Sequence, residues 1–405
     1  MRNSVLLAEI FILIPAILYF CRNLQSSKER QILLAAFLLY PGQILIDHGH
    51  FQYNNISLGL FILAVGCLLK DCILTGSVAF VFALSYKQME LYHSLPFFSY
   101  LLGLCLRSEK SWTSGLTKLV KIGTSVLLTF IALWWPFLPH LKQVLVRIFP
   151  LHRGLFEDKV ANFWCSINVI MKLKDNYESD YLAMISAVTT LVLAIPPNLA
   201  LFWRPDKNQF LTCLLNTSLV FFLFSYQVHE KSILLAAFPA LMVFKINGNG
   251  RFSNLMLTWF LLVTNFSMWP LLQKEGLEIA FVGLQTIFVT FAHYYGFLDF
   301  QDDLSKSAKK KRASPKPMTS TDLMKNTFLD WFIWTLFNFS LVGFIVILSA
   351  SVYVEPPPKY PHLWPLIISV YSAGHFLAFL AYFMWYQCGL FVQSGCSVTQ
   401  EKKNK

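Results

Sequence analysis

Long apolar runs recur along the whole chain, and they limit its possible folds more than any other feature. Of its 405 residues, 56% are hydrophobic and 14% are charged, whereas a soluble domain carries about a quarter charged residues. Runs of roughly 15–25 apolar residues match helices that cross a bilayer, while transmembrane β-barrels show short alternating segments. The sequence therefore predicts an all-α, polytopic helical membrane protein with about thirteen spans.

The positive charge is distributed unevenly between the two sides of these predicted spans. The net charge of +11 would by itself suit a nucleic-acid-binding protein. When the loops are assigned alternately to the two sides, one side holds 22 of the 33 Lys and Arg residues. Because basic loops face the cytosol, we predict a cytosolic C-terminus, contacts with membrane lipids and no nucleic-acid partner.

A polar segment at 298–326, rich in Lys, Ser and Pro, is typical of a cytosolic linker. It separates a predicted transmembrane body at 1–297 from a predicted helix pair and cytosolic tail at 327–405. The chain ends in KKNK, which resembles a dilysine retrieval signal of the early secretory pathway; a solvated basic tail is the alternative. The eight cysteines lack the spacing of a disulfide framework or zinc cluster. We expect no metal and no cofactor.

Four polar segments interrupt the apolar pattern on the predicted non-cytosolic side. They are DHGHFQYN at 47–54, YKQMELYH at 86–93, HRGLFEDKVANFWC at 152–165 and YQVHEKS at 226–232. Each could be a polar cap on a helix pair. Ionisable groups at membrane depth are costly, however, and by default they indicate a functional site.

The residue types in these segments favour a glycosyltransferase that uses a lipid-phosphate sugar donor. The basic side chains that could hold a phosphate are Lys87, Arg153, Lys159, His229 and Lys231. The aromatic and amide side chains that suit sugar rings are Gln52, Tyr53, Asn54, Tyr92 and Trp164. A carboxylate could act as general base for a sugar hydroxyl. A secondary transporter is the alternative class, but it would place its charges near mid-span.

The four segments together resemble one family. LIDHGHFQYNNISLGL, SYKQMELYHSLPFF, RGLFEDKVANFWC and FSYQVHEKSILL are similar to the dolichyl-phosphate-glucose-dependent α-1,3-glucosyltransferases of N-glycan assembly in the endoplasmic reticulum. The resemblance implies a GT-C fold in the endoplasmic-reticulum membrane, a lumenal site, and inverting transfer of glucose to a lipid-linked oligomannose. It indicates the enzyme that adds the first glucose; the paralogue that adds the second, or an inactive form, is the alternative.

The resemblance also implies roles for individual residues. His229 and Lys231 would bind the donor phosphate, with Glu230 orienting them. The other implied substrate-binding residues are Asp47, His48, His50, Gln52, Tyr53 and Asn54 at the sugar, Lys87, Glu90 and His93 behind them, and Arg153, Glu157 and Asp158 at donor or acceptor.

The start of the chain, MRNSVLLAEIF, resembles the second span of that family. In the family, a preceding span and a first lumenal loop carry the acidic motif that supplies the catalytic base. We therefore expect that base to be absent from these residues, with Asp47 as the first candidate to replace it.

Overall fold

The computed structural model describes the backbone of residues 2–109, 111–148, 159–244, 251–298 and 320–403. Every element in these ranges is helical, which confirms the all-α prediction. The α-helices are α1 Arg2–Ala8, α2 Ile14–Cys21, α3 Ser27–Leu38, α4 Pro41–Ile44, α5 Asn54–Leu69, α6 Ile73–Tyr86, α7 Ser94–Leu106, α8 Trp112–Trp134, α9 Leu141–Ile148, α10 Phe163–Met171, α11 Leu173–Asn176, α12 Ser179–Trp203, α13 Lys207–Phe224, α14 Leu234–Val243, α15 Arg251–Ser267, α16 Trp269–Lys274, α17 Glu278–Tyr294, α18 Ser320–Tyr353 and α19 Leu363–Lys403. Two π-helical segments, Glu9–Leu13 and Leu45–Gly49, and three 3-10 segments, Gln88–His93, Trp135–His140 and Glu230–Ile233, complete the described elements.

Six helical segments in the described ranges are long and apolar enough to cross a membrane. They are Asn3–Cys21, Trp112–Ile148, Ser179–Trp203, Asn254–Lys274, Trp331–Tyr353 and Leu363–Phe391. Ser27–Leu38 and Pro41–Gly49, bent by 42°, make a seventh if counted as one span. The polytopic helical class is confirmed, but the count of thirteen is not, because several predicted spans are shorter helices such as α5 and α6.

Helix α13 lies at the centre of the bundle, where α12, α14 and α19 pack against it. Nearly all of its side chains are buried in one continuous core, as expected of a helix that is apolar on all sides. Its buried amide Asn216 donates to Gln387 Oε1 of α19 at 2.8 Å, and Gln387 donates to the carbonyl of Pro197 in α12 at 2.9 Å. This interhelical polar seam ties three helices together.

The C-terminal helices pack against the same core. The ring of Phe376 in α19 meets Phe222 of α13 at 5.6 Å and Phe260 of α15 at 5.8 Å. Residues 299–319, most of the linker predicted at 298–326, lie outside the described residues, and α18 begins at Ser320, before the predicted end of that linker. The division of the chain into body, linker and helix pair remains a prediction.

Helix α5 brings the polar segments together. On one side it packs against the continuous helical segment Arg2–Cys21, which comprises α1, the π-helical segment Glu9–Leu13 and α2 and is called the first helix below. On the other side it packs against α6. A Cβ on Gly59 of α5 would lie 2.9 Å from the side chain of Ile12, so glycine permits a close helix crossing. The turn before α5, the π-helical segment Glu9–Leu13 and the end of α6 therefore meet at one end of the bundle.

Candidate functional site

Asp47 organises the turn that contains DHGHFQYN. It is fully buried in the π-helical segment Leu45–Gly49, a rare geometry that is frequent at functional sites. Its Oδ2 accepts hydrogen bonds from Gln43 Nε2 at 2.9 Å and from the backbone N–H of Asn55 at 2.6 Å. Its Oδ1 accepts from Asn54 Nδ2 at 2.6 Å. Both carboxylate oxygens thus hold the start of α5 against the preceding helix.

Lys87 joins this network from the end of α6. Its ammonium donates to Asn54 Oδ1, so Asn54 connects the buried carboxylate to a half-buried cation. Burial lowers the pKa of Lys87; the charge of Asp47 opposes this shift, and the positive charge of Lys231 adds to it.

Glu90 and His93 are fully buried beneath Lys87. His93 Nδ1 lies 2.8 Å from Glu90 Oε2, and its Nε2 lies 2.8 Å from the carbonyl of Leu235 in α14. The imidazole also stacks on Phe61 of α5 with ring centroids 4.0 Å apart. These contacts fix the 3-10 segment Gln88–His93 against α5 and α14, so both residues support the site from behind.

Direct contacts join the remaining predicted segments to this centre. Tyr92 Oη lies 3.3 Å from Ser225 Oγ, immediately before YQVHEKS. Trp164 Nε1 donates to the carbonyl of Phe224 at 2.7 Å. With Lys87 bound to Asn54, these contacts connect the first three polar segments to Phe224 and Ser225, the two residues directly before YQVHEKS.

His229, Glu230 and Lys231 lie between α13 and α14, partly exposed, where a 3-10 segment begins. Of the third predicted segment, Arg153, Glu157 and Asp158 lie outside the described residues.

Two histidine–glutamate pairs flank the other side of the turn. His48 Nε2 lies 2.6 Å from Glu9 Oε2, which belongs to the π-helical segment of the first helix. His50 Nδ1 lies 3.3 Å from Glu275 Oε1, although the angle there is not that of a hydrogen bond. Tyr53 Oη lies 2.7 Å from Ser4 Oγ.

The residues between these pairs shape the surface of the turn. Phe51 has φ of 68°, a left-handed conformation that is uncommon for a bulky residue. Its ring meets that of Tyr53 edge to face at 5.6 Å. Gln52, which follows Phe51, is partly exposed at the same surface.

Sequence reasoning missed several residues of this site. Gln43 could have been found, because it lies one helical turn before Asp47. Asn55 begins an N-x-S sequon, a pattern typical of a surface loop, but it is fully buried at the start of α5. The pairing of Glu9 with His48 and of Glu275 with His50 joins distant helices, and no local pattern indicates it.

A multi-helix membrane protein with cations, amides, carboxylates and aromatic rings gathered at one end of its bundle has the architecture of an integral-membrane glycosyltransferase. The sequence profile of the ALG6, ALG8 glycosyltransferase family matches residues 1–382. The chain belongs to this family, which confirms the resemblance noted in the sequence.

Relatives from distant organisms support the assignment. A Drosophila melanogaster protein named probable dolichyl pyrophosphate Man9GlcNAc2 alpha-1,3-glucosyltransferase is 42% identical over 95% of this chain and 75% of the relative. A Gallus gallus protein named dolichyl pyrophosphate Man9GlcNAc2 alpha-1,3-glucosyltransferase is 41% identical over the same shares. An Arabidopsis thaliana protein with the name given to the Drosophila relative is 36% identical over 100% of this chain and 72% of the relative.

Proposed function

We propose that this protein transfers glucose from dolichyl-phosphate glucose to the lipid-linked oligosaccharide Man9GlcNAc2-pyrophosphate-dolichol, forming an α-1,3 linkage. The acceptor and the linkage follow from the names of its relatives. The observation that supports the proposal is the set of contacts Asn54–Lys87, Tyr92–Ser225 and Trp164–Phe224, which connects three polar segments to the residues directly before the fourth.

The donor phosphate fits the cationic part of this site. The segments that contain Lys87 and Lys231 touch, since His93 Nε2 lies 2.8 Å from the carbonyl of Leu235, and the charge of Lys231 contributes to the lowered pKa of Lys87. His229 precedes Lys231 by two residues. Two like charges at close range repel each other, and a bound phosphate would relieve that repulsion through charge-assisted hydrogen bonds. During transfer, the same cations would stabilise the dolichyl phosphate as it leaves.

An apolar cavity beside these cations suits the isoprenoid chain of the donor. Its volume is about 410 Å³, and its lining includes Tyr86, Trp134 and Ile148. Tyr86 immediately precedes Lys87, and the carbonyl of Ile148 accepts from Gln88 at 3.5 Å. A lipid chain in this cavity would place its phosphate end at Lys87.

Asp47 has a positioning role in this proposal. Its two oxygens already accept three hydrogen bonds, so its carboxylate fixes Asn54 and, through Asn54, Lys87. Its predicted role as a catalytic base stays a prediction. We further propose that the protein resides in the endoplasmic-reticulum membrane with its C-terminus in the cytosol and this site in the lumen, as the charge distribution favours.

The test is glucose transfer by the purified chain from dolichyl-phosphate glucose to Man9GlcNAc2-pyrophosphate-dolichol. The expected product is larger by one α-linked glucose. His229→Ala should slow transfer by about a hundredfold if the imidazole stabilises the leaving phosphate. His362→Ala, an exposed histidine outside the site, is the matched control and should leave the rate unchanged. Equal losses in both variants, or transfer by His229→Ala at the wild-type rate, would contradict the proposal.

A further inference from the structure

The polar site is divided by charge, and the Asp47–Asn54 pair forms the boundary. Lys87 and Lys231 lie on the side of α6 and α14, whereas the carboxylates of Glu9 and Glu275 lie on the side of the first helix and α17. Helix α5 separates the first helix from α6. A ligand that extends across the turn therefore meets Lys87 and Lys231 at one end and the two histidine–glutamate pairs at the other.

We infer that the Glu9–His48 and His50–Glu275 pairs, together with Phe51 and Tyr53, form the binding surface for the neutral sugar acceptor. This inference rests on the proposed function and assigns the two substrates to opposite halves of the site. Neither glutamate was among the residues predicted from the sequence to bind substrate.

Electrostatics disfavour a phosphate in this half. Two carboxylates would repel a phosphate at close range, and among the described residues no lysine or arginine pairs with Glu9 or Glu275. A neutral oligosaccharide carries no such penalty, and its hydroxyl groups both donate and accept hydrogen bonds. Carboxylate oxygens accept from hydroxyls, while imidazole nitrogens can serve either role.

The side chains of this half are accessible to a ligand, unlike Asp47. The Glu275 side chain is 44% exposed and Tyr53 is 37% exposed. His48 is held by Glu9 at 2.6 Å, so little side-chain entropy of His48 remains to be lost on binding, whereas His50 lies 3.3 Å from Glu275 without a hydrogen bond to it. The rings of Phe51, which is partly exposed, and of Tyr53, which is exposed, provide an apolar face against which a sugar ring can pack.

The turn also packs closely against the segment that follows α16. A Cβ on Gly49 would lie 2.7 Å from a methyl group of Leu277, so glycine lets the segment after α16 pack directly under the two histidines. Since Glu275 belongs to that segment, the contact between Gly49 and Leu277 sets the position of Glu275 relative to His50.

Two binding measurements on the full 405-residue chain test this inference. The probes are the soluble oligosaccharide Man9GlcNAc2 and dolichyl-phosphate glucose, each titrated separately. Glu9→Gln and Glu275→Gln should each weaken oligosaccharide binding about tenfold, the loss expected for one charged hydrogen bond, and leave donor binding unchanged. Lys87→Ala should weaken donor binding and leave oligosaccharide binding unchanged. Asp175→Asn removes an exposed carboxylate outside the site and should change neither affinity.

Each alternative result has a distinct meaning. If the chain binds both probes and the two glutamate variants bind the oligosaccharide as tightly as the wild type, the inference is wrong while the proposed function stands. If the glutamate variants weaken both ligands equally, their role is structural and the inference is again wrong. A chain that binds neither probe overturns the proposed function and this inference with it.

Discussion

At the scale of single residues, Asp47 determines the geometry of the candidate site. Its buried carboxylate accepts hydrogen bonds from Gln43, Asn54 and the backbone of Asn55. A buried acceptor with this many donors is costly to change, because each donor left without a partner keeps its full desolvation penalty. Asp47 holds Asn54, and the position of Lys87 depends on Asn54. A substitution at Asp47 should therefore also displace Lys87 in the phosphate-binding half of the site.

Asp47→Asn should lower the free energy of unfolding by about 1–3 kcal/mol, because the amide NH2 would face a donor at either oxygen position. Thermal unfolding of the detergent-solubilised protein measures this effect. Asp71→Asn is the matched control: Asp71 pairs with Lys207 at 2.9 Å but is 69% exposed, so its loss should cost less than about 1 kcal/mol. Equal losses in the free energy of unfolding in the two variants would contradict the conclusion that the buried Asp47 carboxylate holds the turn in place.

Lys87 predicts a pH dependence of donor binding. Burial lowers its pKa, so its ammonium is charged below that pKa and becomes neutral as the pH rises through it. Donor affinity should therefore be highest at low pH. As the pH rises, the affinity should fall at a lower pH than it would with an ordinary lysine, whose pKa is about 10.4. Lys87→Arg should bind the donor without this fall in affinity, since the guanidinium stays charged up to about pH 12. A wild-type profile identical to that of Lys87→Arg would rule out Lys87 as the phosphate ligand.

At the scale of secondary-structure elements, the sequence predicted the class of the helices well and their ends poorly. The apolar runs indicated membrane helices because burial in lipid requires apolar side chains along a whole segment. The π-helical segments Glu9–Leu13 and Leu45–Gly49 were not predicted. Their geometry depends on contacts between distant helices, such as Glu9 with His48, and no local propensity encodes those contacts.

The sequence likewise does not show which partners the polar residues inside the bundle bind. Asn55, Asn216 and Asn265 each begin a glycosylation sequon, yet all three are fully buried. Asn216 instead donates to Gln387 and to the carbonyl of Phe383. A sequence shows that such an amide lies in an apolar run, but only the packing of helices shows which partner it binds.

The polar seam between α13 and α19 should contribute measurable stability. Asn216→Leu removes the donor to Gln387 Oε1 and should lower the free energy of unfolding by about 1 kcal/mol, the scale of interhelical hydrogen bonds in membranes. Asn338→Leu is the matched control, because Asn338 donates only to Trp334 of its own helix in the bonds described. Thermal unfolding in the same detergent compares the two. A larger loss in Asn338→Leu would show that the seam does not hold α19 in place.

At the scale of the whole molecule, the proposed topology places opposite ends of the bundle in different compartments. Cys72, in the turn between α5 and α6, is exposed and lies at the end of the bundle away from the candidate site. Tyr177, before α12, is exposed at the site end. These two positions therefore report on the two sides of the membrane.

Labelling with a membrane-impermeant maleimide tests this topology. In sealed microsomes, Cys72 should react from the cytosolic side. A cysteine introduced as Tyr177→Cys, in a chain with Cys72, Cys388 and Cys396 replaced by Ser, should react only after the membrane is permeabilised. Labelling of the introduced cysteine in sealed microsomes would place the candidate site in the cytosol.

The central claim is that the four polar segments form one site whose cations bind the donor phosphate. A structure of the chain bound to a non-hydrolysable analogue of dolichyl-phosphate glucose tests it most directly, through the distance from the phosphate oxygens to Lys87 Nζ. We predict a hydrogen-bonding distance of about 3 Å, with Lys231 on the other side of the phosphate. A phosphate bound at the opposite end of the bundle, in the cavity of about 470 Å³ lined in part by Asn23, Lys207 and Asn208, would contradict it.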